Sequence, residues 1–361
     1  MLKLNKRQNA ILHFIQNNQP AASSQIIHYL THDWEEVVSR ATVIRDINEL
    51  LRVKAITRQG AGRGARYSEL LENTLLKHID ANDYFARELE QRTAAFPKFN
   101  FNIFSALNDG LFSRQEIKEL ADANKNYQKN ASSLSPVILK KELERLTIEL
   151  SWKSSQIEGN TYSLIDTEVL IKEHKEAAGH TKEEAIMILN HKQALDYAAG
   201  NKSFFKKITL RQIENMHRLI VAGLNINYGF RKNLVGIIGT NYRPLDNQHQ
   251  IREAMEKLTV GINRTKQPLA KALMAALMIS YIQPFEDGNK RTARLLANAI
   301  LLAFNYCPLS YRGINESDYK KALILFYEQN SAVFFKTLFI EQFKFAAASY
   351  FRGNAGTESR G

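Results

Sequence analysis

Residues 281–294 read Tyr-Ile-Gln-Pro-Phe-Glu-Asp-Gly-Asn-Lys-Arg-Thr-Ala-Arg, and their types and spacing suit the binding of an anion. Placed at the start of a helix, Gly288, Asn289 and Lys290 would aim free backbone N–H groups at a phosphate, helped by the helix dipole. Gly288 lets the backbone come close. Arg291 and Arg294 lie three apart and share a helix face, and their guanidinium forks match phosphate oxygens. Asp287 can hold a magnesium ion that bridges two phosphates. Taken as chemistry alone, the segment describes a magnesium–polyphosphate site.

Two apolar stretches must hold this segment. Residues 269–282 are almost wholly apolar, with Leu273, Met274, Leu277, Met278 and Ile279 among them, and so are residues 295–304. Both read as helices buried in a core. Pro284 ends the first, and Asp287, Gly288 and Asn289 give a turn and an N-cap for the second. Charged residues at the start of a buried helix are costly unless they bind something.

Pro284, Phe285, Asp287, Gly288, Asn289, Arg291 and Arg294 fill the fixed positions of a known pattern, H-P-F-x-[DE]-G-N-G-R-x-x-R, and the segment therefore resembles the Fic motif. The resemblance implies transfer of a nucleotide monophosphate, most often AMP from ATP, onto a Ser, Thr or Tyr hydroxyl of a target protein. It implies that Asp287 is the Mg2+ ligand. Gly288 and Asn289 would form the anion hole, within a nucleotide-binding loop that includes Phe285 and Lys290. Arg291 and Arg294 would hold the outer phosphates. Two positions depart from the pattern. Lys290 replaces the second glycine, as in many Fic relatives and in the Doc branch, a kinase, which leaves the transferred group open. Gln283 replaces the histidine that deprotonates the target hydroxyl. Glutamine has no titratable nitrogen and cannot act as a general base. Three readings follow: a disabled or engineered form, a pseudoenzyme that only binds nucleotide, or a mechanism with another base.

Ser154, Glu158 and Gly159 resemble the family's inhibitory motif, [ST]-x-x-x-E-[GN], in which the glutamate pairs with the motif's second arginine, here Arg294. A carboxylate and a phosphate would compete for one guanidinium. In some Fic proteins this glutamate also positions water for removal of AMP. Residues 227–231 lead into a section of short β-branched runs around glycines, which reads as a hairpin. It resembles the Fic flap, and Val235, Gly236, Ile237, Ile238, Gly239 and Tyr242 would hold an extended target segment by strand addition. The resemblance covers about residues 146–345 and includes Glu184, Asn190 and His191. His191 reads as a structural helix histidine in preference to a substitute base.

The first 70 residues have another character. Ile11, Leu12, Phe14 and Ile15 fit one helix face, Ser23 and Ser24 can cap a second helix over 25–30, and a third runs over about 39–51 with Val43, Ile44, Ile47, Leu50 and Leu51 towards a core. A short strand over 55–59, a Gly/Arg-rich loop and a return strand from Tyr67 follow. The pattern resembles a winged helix-turn-helix, which docks on DNA or serves protein contacts. In DNA binding, Arg40, Thr42 and Arg45 would reach base edges, and Arg58, Arg63 and Arg66 would contact phosphate.

The chain has 361 residues, enough for two or three domains, with hydrophobic residues at 44% and charged residues at 24%, an ordinary globular composition. The predicted fold is mainly α: an all-helical Fic core with a small β-hairpin flap behind an α+β winged module. The predicted boundaries are 1–70 for the winged module, 71–145 for a mostly helical connector, 146–350 for the Fic domain with its inhibitory helix, and 351–361 for a disordered tail. The net charge of +12 suits nucleic acid or polyphosphate. It is spread along the chain, since residues 1–70 hold ten Lys/Arg against six Asp/Glu. One cysteine, Cys307, allows no intramolecular disulfide. No apolar run reaches the roughly 18 residues of a spanning helix, and the N-terminus does not read as a signal peptide; both point to the cytoplasm. The expected partners are ATP, a target protein, DNA and, from the resemblance, a second copy of the chain. The competing functions are AMP transfer, nucleotide sensing by a DNA-binding regulator without catalysis, and Doc-like phosphotransfer.

Overall fold

In the computed structural model, residues 4–18, 20–34, 38–53, 55–70 and 73–351 are described. The tail expected at 351–361 lies, beyond Phe351, outside the described residues, as do residues 1–3 and the side chain of Arg63. No helix among the described residues is long and apolar enough to cross a membrane.

The N-terminal module is built from α1 (Lys6–Asn17), β1 (Ala21–Ala22), α2 (Ser23–His28), α3 (Arg40–Arg52), β2 (Ile56–Gln59) and β3 (Arg66–Glu69). Its three strands form an antiparallel sheet in the order β1-β3-β2. Ile11, Ile15, Ile26, Leu30, Val43, Ile47 and Leu50 close a small core of their own. Local chemistry starts its helices. Asn5 and Gln8 form a reciprocal capping box on α1, and Ser39 caps α3, each satisfying otherwise orphaned N–H groups. Two expectations are corrected. Ser23 and Ser24 do not cap α2: its N-cap is Ala22, whose N–H donates to Gln25 Oε1 at 2.7 Å. Ile44 is 43% exposed, because the apolar stripe of α3 is narrower than its count of apolar residues. The strand β1 is too short to leave a pattern in the sequence.

The chain continues through α4 (Ala81–Phe85) and α5 (Ile103–Ala106), separated by single turns and extended segments, into α6 (Arg114–Ser133) and α7 (Pro136–Ile157). Of the mostly helical connector expected at 71–145, residues 114–133 and 136–145 are helical, in α6 and the start of α7, whereas residues 73–113 are mostly turns and extended chain; their apolar side chains, Leu75, Ile103, Leu107 and Leu111, are buried by docking on the main core and not by a helical stripe of their own. The boundary drawn at 145/146 falls inside α7.

The main body follows: α8 (Leu164–Glu173), α9 (Lys182–Gly200), α10 (Leu210–Val221), α11 (Gln248–Arg264), α12 (Pro268–Ile282), α13 (Asn289–Ala303), α14 (Glu316–Gln329) and α15 (Val333–Ser349). Every residue of α12 but Pro268 is buried, and every residue of α13 but Lys290. A helix apolar on all sides belongs in the middle of a core, and these two are packed against each other there. The loop that joins them is thus fixed from both ends by the most buried part of the molecule.

The flap segment is corrected as well. Residues 233–245 are extended with a turn at Ile238 and Gly239 and form no paired strands; the one ladder contact is a bridge between Arg243 and Lys98. A two-stranded hairpin alone is marginal in water, and here the main chain is anchored by side chains from elsewhere instead.

Candidate active site

The loop after α12 turns because Gln283 adopts a left-handed conformation, φ 51°, just before Pro284. Its side chain points inward: Nε2 donates to Ser280 O at 2.7 Å, and Oε1 accepts from Asn289 Nδ2 at 3.0 Å. Asn289 closes the loop by also accepting from Phe285 N–H at 2.9 Å and donating to Phe285 O at 2.8 Å. It is therefore a loop brace, and the N-cap of α13 is Gly288, without a side-chain cap. Gly288 has φ 77°, and a Cβ there would lie 3.0 Å from Val221 Cγ1 and 3.3 Å from Ile220 Cγ2. Only glycine satisfies both the dihedral and the space. The N–H groups of Asn289, Lys290 and Arg291 open the helix, since its first backbone bond is Thr292 N–H to Gly288 O, and they are available to an anion.

His217, on α10, supports this loop from below. Its ring stacks on Phe285 with centroids 3.7 Å apart, and Nε2 donates to Asp287 O at 3.0 Å. That bond fixes the proton on Nε2 and leaves Nδ1 buried without a partner. Burial pushes the pKa of His217 down to about 4. His217 was missed in the sequence, where it reads as one more position on an amphipathic helix.

The arginines differ in their state. Arg291 is buried; Nη2 donates to Asp287 Oδ2 at 2.8 Å, while Nη1 has no partner. Burial lowers its pKa from the usual arginine value, against the attraction of Asp287 and Glu158. Asp287 itself is 65% exposed at its side chain. Arg294 is wholly buried and fully engaged: Nε donates to Ser154 Oγ, Nη2 to Ser154 O and Glu158 Oε1, all at 2.8 Å, and Nη1 to Tyr319 OH at 3.3 Å. Burial opposes its charge, but Tyr319 and Glu158 raise its pKa above the usual value.

Glu158 reaches Arg294 because α7 ends at this residue, with Gly159 at φ 97° carrying the chain away, the left-handed exit for which glycine is suited. The other carboxylate oxygen lies 3.5 Å from Lys290 Nζ. Burial would raise the pKa of Glu158, but Arg294 and Lys290 outweigh it and hold the carboxyl below the usual range. Ser154 is set in turn by His191. The imidazole Nδ1 faces Met187 O at 3.0 Å and so carries the proton; Nε2 then accepts from Ser154 Oγ at 2.7 Å. Burial pushes the pKa of His191 down to about 3. His191 touches no open space, so it orders Ser154 and Arg294 from behind. Glu184 and Asn190 are framework groups: Glu184 accepts from Thr161 N–H at 2.7 Å, and Asn190 donates to Ala222 O at 2.8 Å.

A cavity of about 470 Å³ opens over these groups. Its floor is Gln283 and the run from Glu286 through Arg291, one side is Ile157, Glu158 and Gly159, and the rim is Val235, Gly236, Ile237 and Ile238. The far wall, Lys320, Leu323, Ile324 and Tyr327 of α14, was not singled out in the sequence, where α14 shows only ordinary helical patterning. Ile238 is 98% exposed. Tyr242 does not belong to the rim: it is buried, stacks on Tyr281 and donates to Tyr281 O at 2.8 Å, and its expected place among target-binding residues is corrected to a core role. Arg231 joins both ends of the flap to the motif loop, with Nε donating to Gln283 O at 2.6 Å, Nη1 to Asn233 O at 2.7 Å, and Nη2 to Leu245 O.

Residues 207–301, which span this loop, match the Fic/DOC family. The chain carries a Fic/DOC family domain. A protein adenylyltransferase Fic from Nematostella vectensis is 26% identical over 258 residues, covering 70% of this chain and 57% of that protein. The same-named protein of Aedes aegypti is 28% identical over 267 residues, covering 68% of this chain and 49% of its own. The chain thus spans about half the length of the curated relatives it matches. The Fic fold extends to solved structures: a fragment of Fic-1 from C. elegans aligns with a TM-score of 0.56 at 18% identity, over 65% of this chain and 70% of that one. A Fic family protein from Desulfovibrio desulfuricans aligns at 0.54 with 21% identity, over 67% and 75%. Around the Fic domain, the N-terminal module presents Arg40, Arg45, Arg58 and Arg66 as exposed side chains. Thr42 is half-buried and occupied with Ser39 at 2.9 Å.

Proposed function

We propose that the Fic domain binds a magnesium nucleotide, ATP by analogy with the adenylyltransferases it resembles, and transfers AMP to a protein hydroxyl, in a form restrained by Glu158 and crippled at Gln283. The observation that carries the reading is the buried Arg291. Its Nη1 has no partner, it lies beside the free N–H groups of a helix start, and it faces the cavity. A buried unpaired guanidinium donor is costly unless a ligand completes it, and a phosphate is the ligand that suits both the fork and the helix N-terminus.

Magnesium fits the same place. Asp287 has one oxygen on Arg291, and its exposed carboxylate is open to the cavity. Magnesium is commonly held by one or two carboxylates together with substrate phosphates, and Asp287 would supply the carboxylate. When bound, it would neutralise phosphate charge. This chain's own residues do the rest: the N–H groups orient the phosphate, Arg291 fixes it, and the flap rim offers an edge to an extended target. Gln283, in the position of the base, has no titratable nitrogen to take the hydroxyl proton, and its amide is held by Ser280 and Asn289.

The test is incorporation of label from α-labelled ATP with magnesium, comparing the chain with Gln283→His, each with and without Glu158→Gly. Label only where histidine replaces Gln283 supports an intact transfer site lacking its base. If the Glu158→Gly protein binds no nucleotide at all, the reading fails.

A second reading is favoured by the exposed arginines of the N-terminal module: a winged helix that binds DNA and responds to the nucleotide state of the Fic domain.

A further inference from the structure

The rim of the cavity has no ladder of its own. From Leu234 to Ile238 the backbone makes no hydrogen bond to other backbone among the described residues, and Leu234 and Ile238 stand 75% and 98% exposed. Holding each such residue in one conformation costs about 1–2 kcal/mol in entropy, so the order of this edge must come from its ends. Arg231 holds the base. The other anchor is supplied by the connector that runs in from the N-terminal module.

That anchor is specific. Arg92 Nη2 donates to Gly239 O at 2.9 Å, directly after the rim. Asn241 Nδ2 donates back to Leu89 O at 2.8 Å and Arg92 O at 3.1 Å. Glu328, wholly buried on α14, accepts from Thr240 Oγ1 and from Asn241 N–H, each at 2.7 Å, and its second oxygen accepts from Tyr84 OH at 2.5 Å. Arg92 Nη1 lies 4.0 Å from that same oxygen, and its guanidinium sits 5.1 Å over the Phe85 ring. Arg243 N–H donates to Pro97 O at 2.9 Å. A buried charge pair reached by two chain segments far apart in sequence is an expensive way to fix a surface loop, because each ion must be desolvated. It is understandable where the loop must keep one shape.

We propose that Arg92, with Glu328 and Asn241, is a positioning residue for the flap: it holds the 235–238 edge in the extended shape onto which a target polypeptide can add as a strand. Strand addition to a preformed edge avoids the ordering cost that a loose loop would charge against binding. The inference rests on the reading of the rim as the polypeptide-holding edge of the proposed transfer site. It makes the connector part of the target-binding apparatus, so removing Arg92 weakens target capture without touching the phosphate-binding groups below.

The experiment is a spin label at the rim of the full chain. Ile238→Cys offers one reactive thiol, since Cys307 is buried with its thiol pushed up by burial. A second chain labelled at Ile165→Cys, exposed at 73% on α8, serves as control. In the Arg92→Met form the label at 238 is expected to gain a mobile component, about twofold or more in population, with recovery in Arg92→Lys, whose ammonium can still donate one hydrogen bond. The label at 165 and the MgATP affinity of the Glu158→Gly background should not move. Asn241→Ala gives the same test without removing a buried charge. An unchanged spectrum at 238, or equal mobilisation at 238 and 165, overturns the proposal. If MgATP binds none of the forms, the nucleotide reading falls, and the label still decides whether Arg92 sets the rim.

Discussion

Glu158 Oε1 stands 2.8 Å from Arg294 Nη2, and it is the one ligand of that guanidinium on the open side. Ser154 and Tyr319 fix the rest of Arg294 from within the core. The arginine is therefore rigid and the carboxylate is the replaceable partner. A phosphate that takes its place keeps the charge-assisted bonds and loses nothing in desolvation of Arg294, which is already buried.

It follows that Glu158→Gly should bind MgATP more tightly, by about tenfold or more, a coupling of the usual size between competing ligands. Isothermal titration calorimetry on the chain and the variant measures it directly. Equal or weaker binding in the variant would show that Glu158 does not compete with the nucleotide.

Restoring a base is a separate matter. Gln283 lines the cavity at the point where the loop turns, and a histidine there brings a group able to accept a proton near neutral pH. In the Glu158→Gly background, Gln283→His should raise the rate of AMP incorporation by about 10²–10⁴-fold. A rise in ATP affinity with no rise in rate would instead mean that the glutamine acts only on binding.

The residues legible in the sequence were those whose chemistry is local. Asp287, Gly288, Arg291 and Arg294 lie within a few positions of one another, and two flanking apolar stretches announce the core that holds them. His217, Arg231 and Tyr327 were not legible, because each acts across a long sequence separation and carries no local pattern. The flap misled for the opposite reason. Its β-branched residues and glycines fit a hairpin, but strand propensity depends on what the chain packs against, and here the partners are Arg92, Glu328 and Arg231. Tyr242 shows the same limit: its ring is taken by the tyrosine stack under α12.

Two buried histidines make stability depend on pH. His191 and His217 have pKa values lowered to about 3 and about 4, so the unfolded chain binds more protons than the folded one below the ordinary histidine pKa. Their contribution is complete above about pH 6.5 and is lost as pH falls, at up to about 1.4 kcal/mol per pH unit for each. Urea unfolding between pH 7 and 4.5 should show this slope, and His217→Gln should flatten it. Stability that does not fall over this range would mean that these rings are not held neutral in the folded protein.

The N-terminal module yields the last prediction. Arg58 and Arg66 are exposed on the β2–β3 ribbon, and Arg40 and Arg45 on α3. A cleft of about 910 Å³ between α2, α3 and the ribbon is lined by Arg40, Asn48 and Arg58 together with His28 and His32. If this face binds DNA, phosphate contacts release counterions and the affinity falls with salt, with a log–log slope of about −0.9 for each phosphate neutralised. Replacing Arg58, Arg63 and Arg66 with alanine should shrink that slope by up to about three phosphates' worth on any DNA sequence. Replacing Arg40 or Arg45 should instead cost about 1–3 kcal/mol on the preferred sequence alone. Fluorescence anisotropy at several salt concentrations, on specific and random duplexes, separates the two classes. Unaltered affinity after all three ribbon arginines are replaced would leave the module to protein contacts, and adding MgATP to the Glu158→Gly chain in the same assay asks whether the Fic domain alters DNA binding at all.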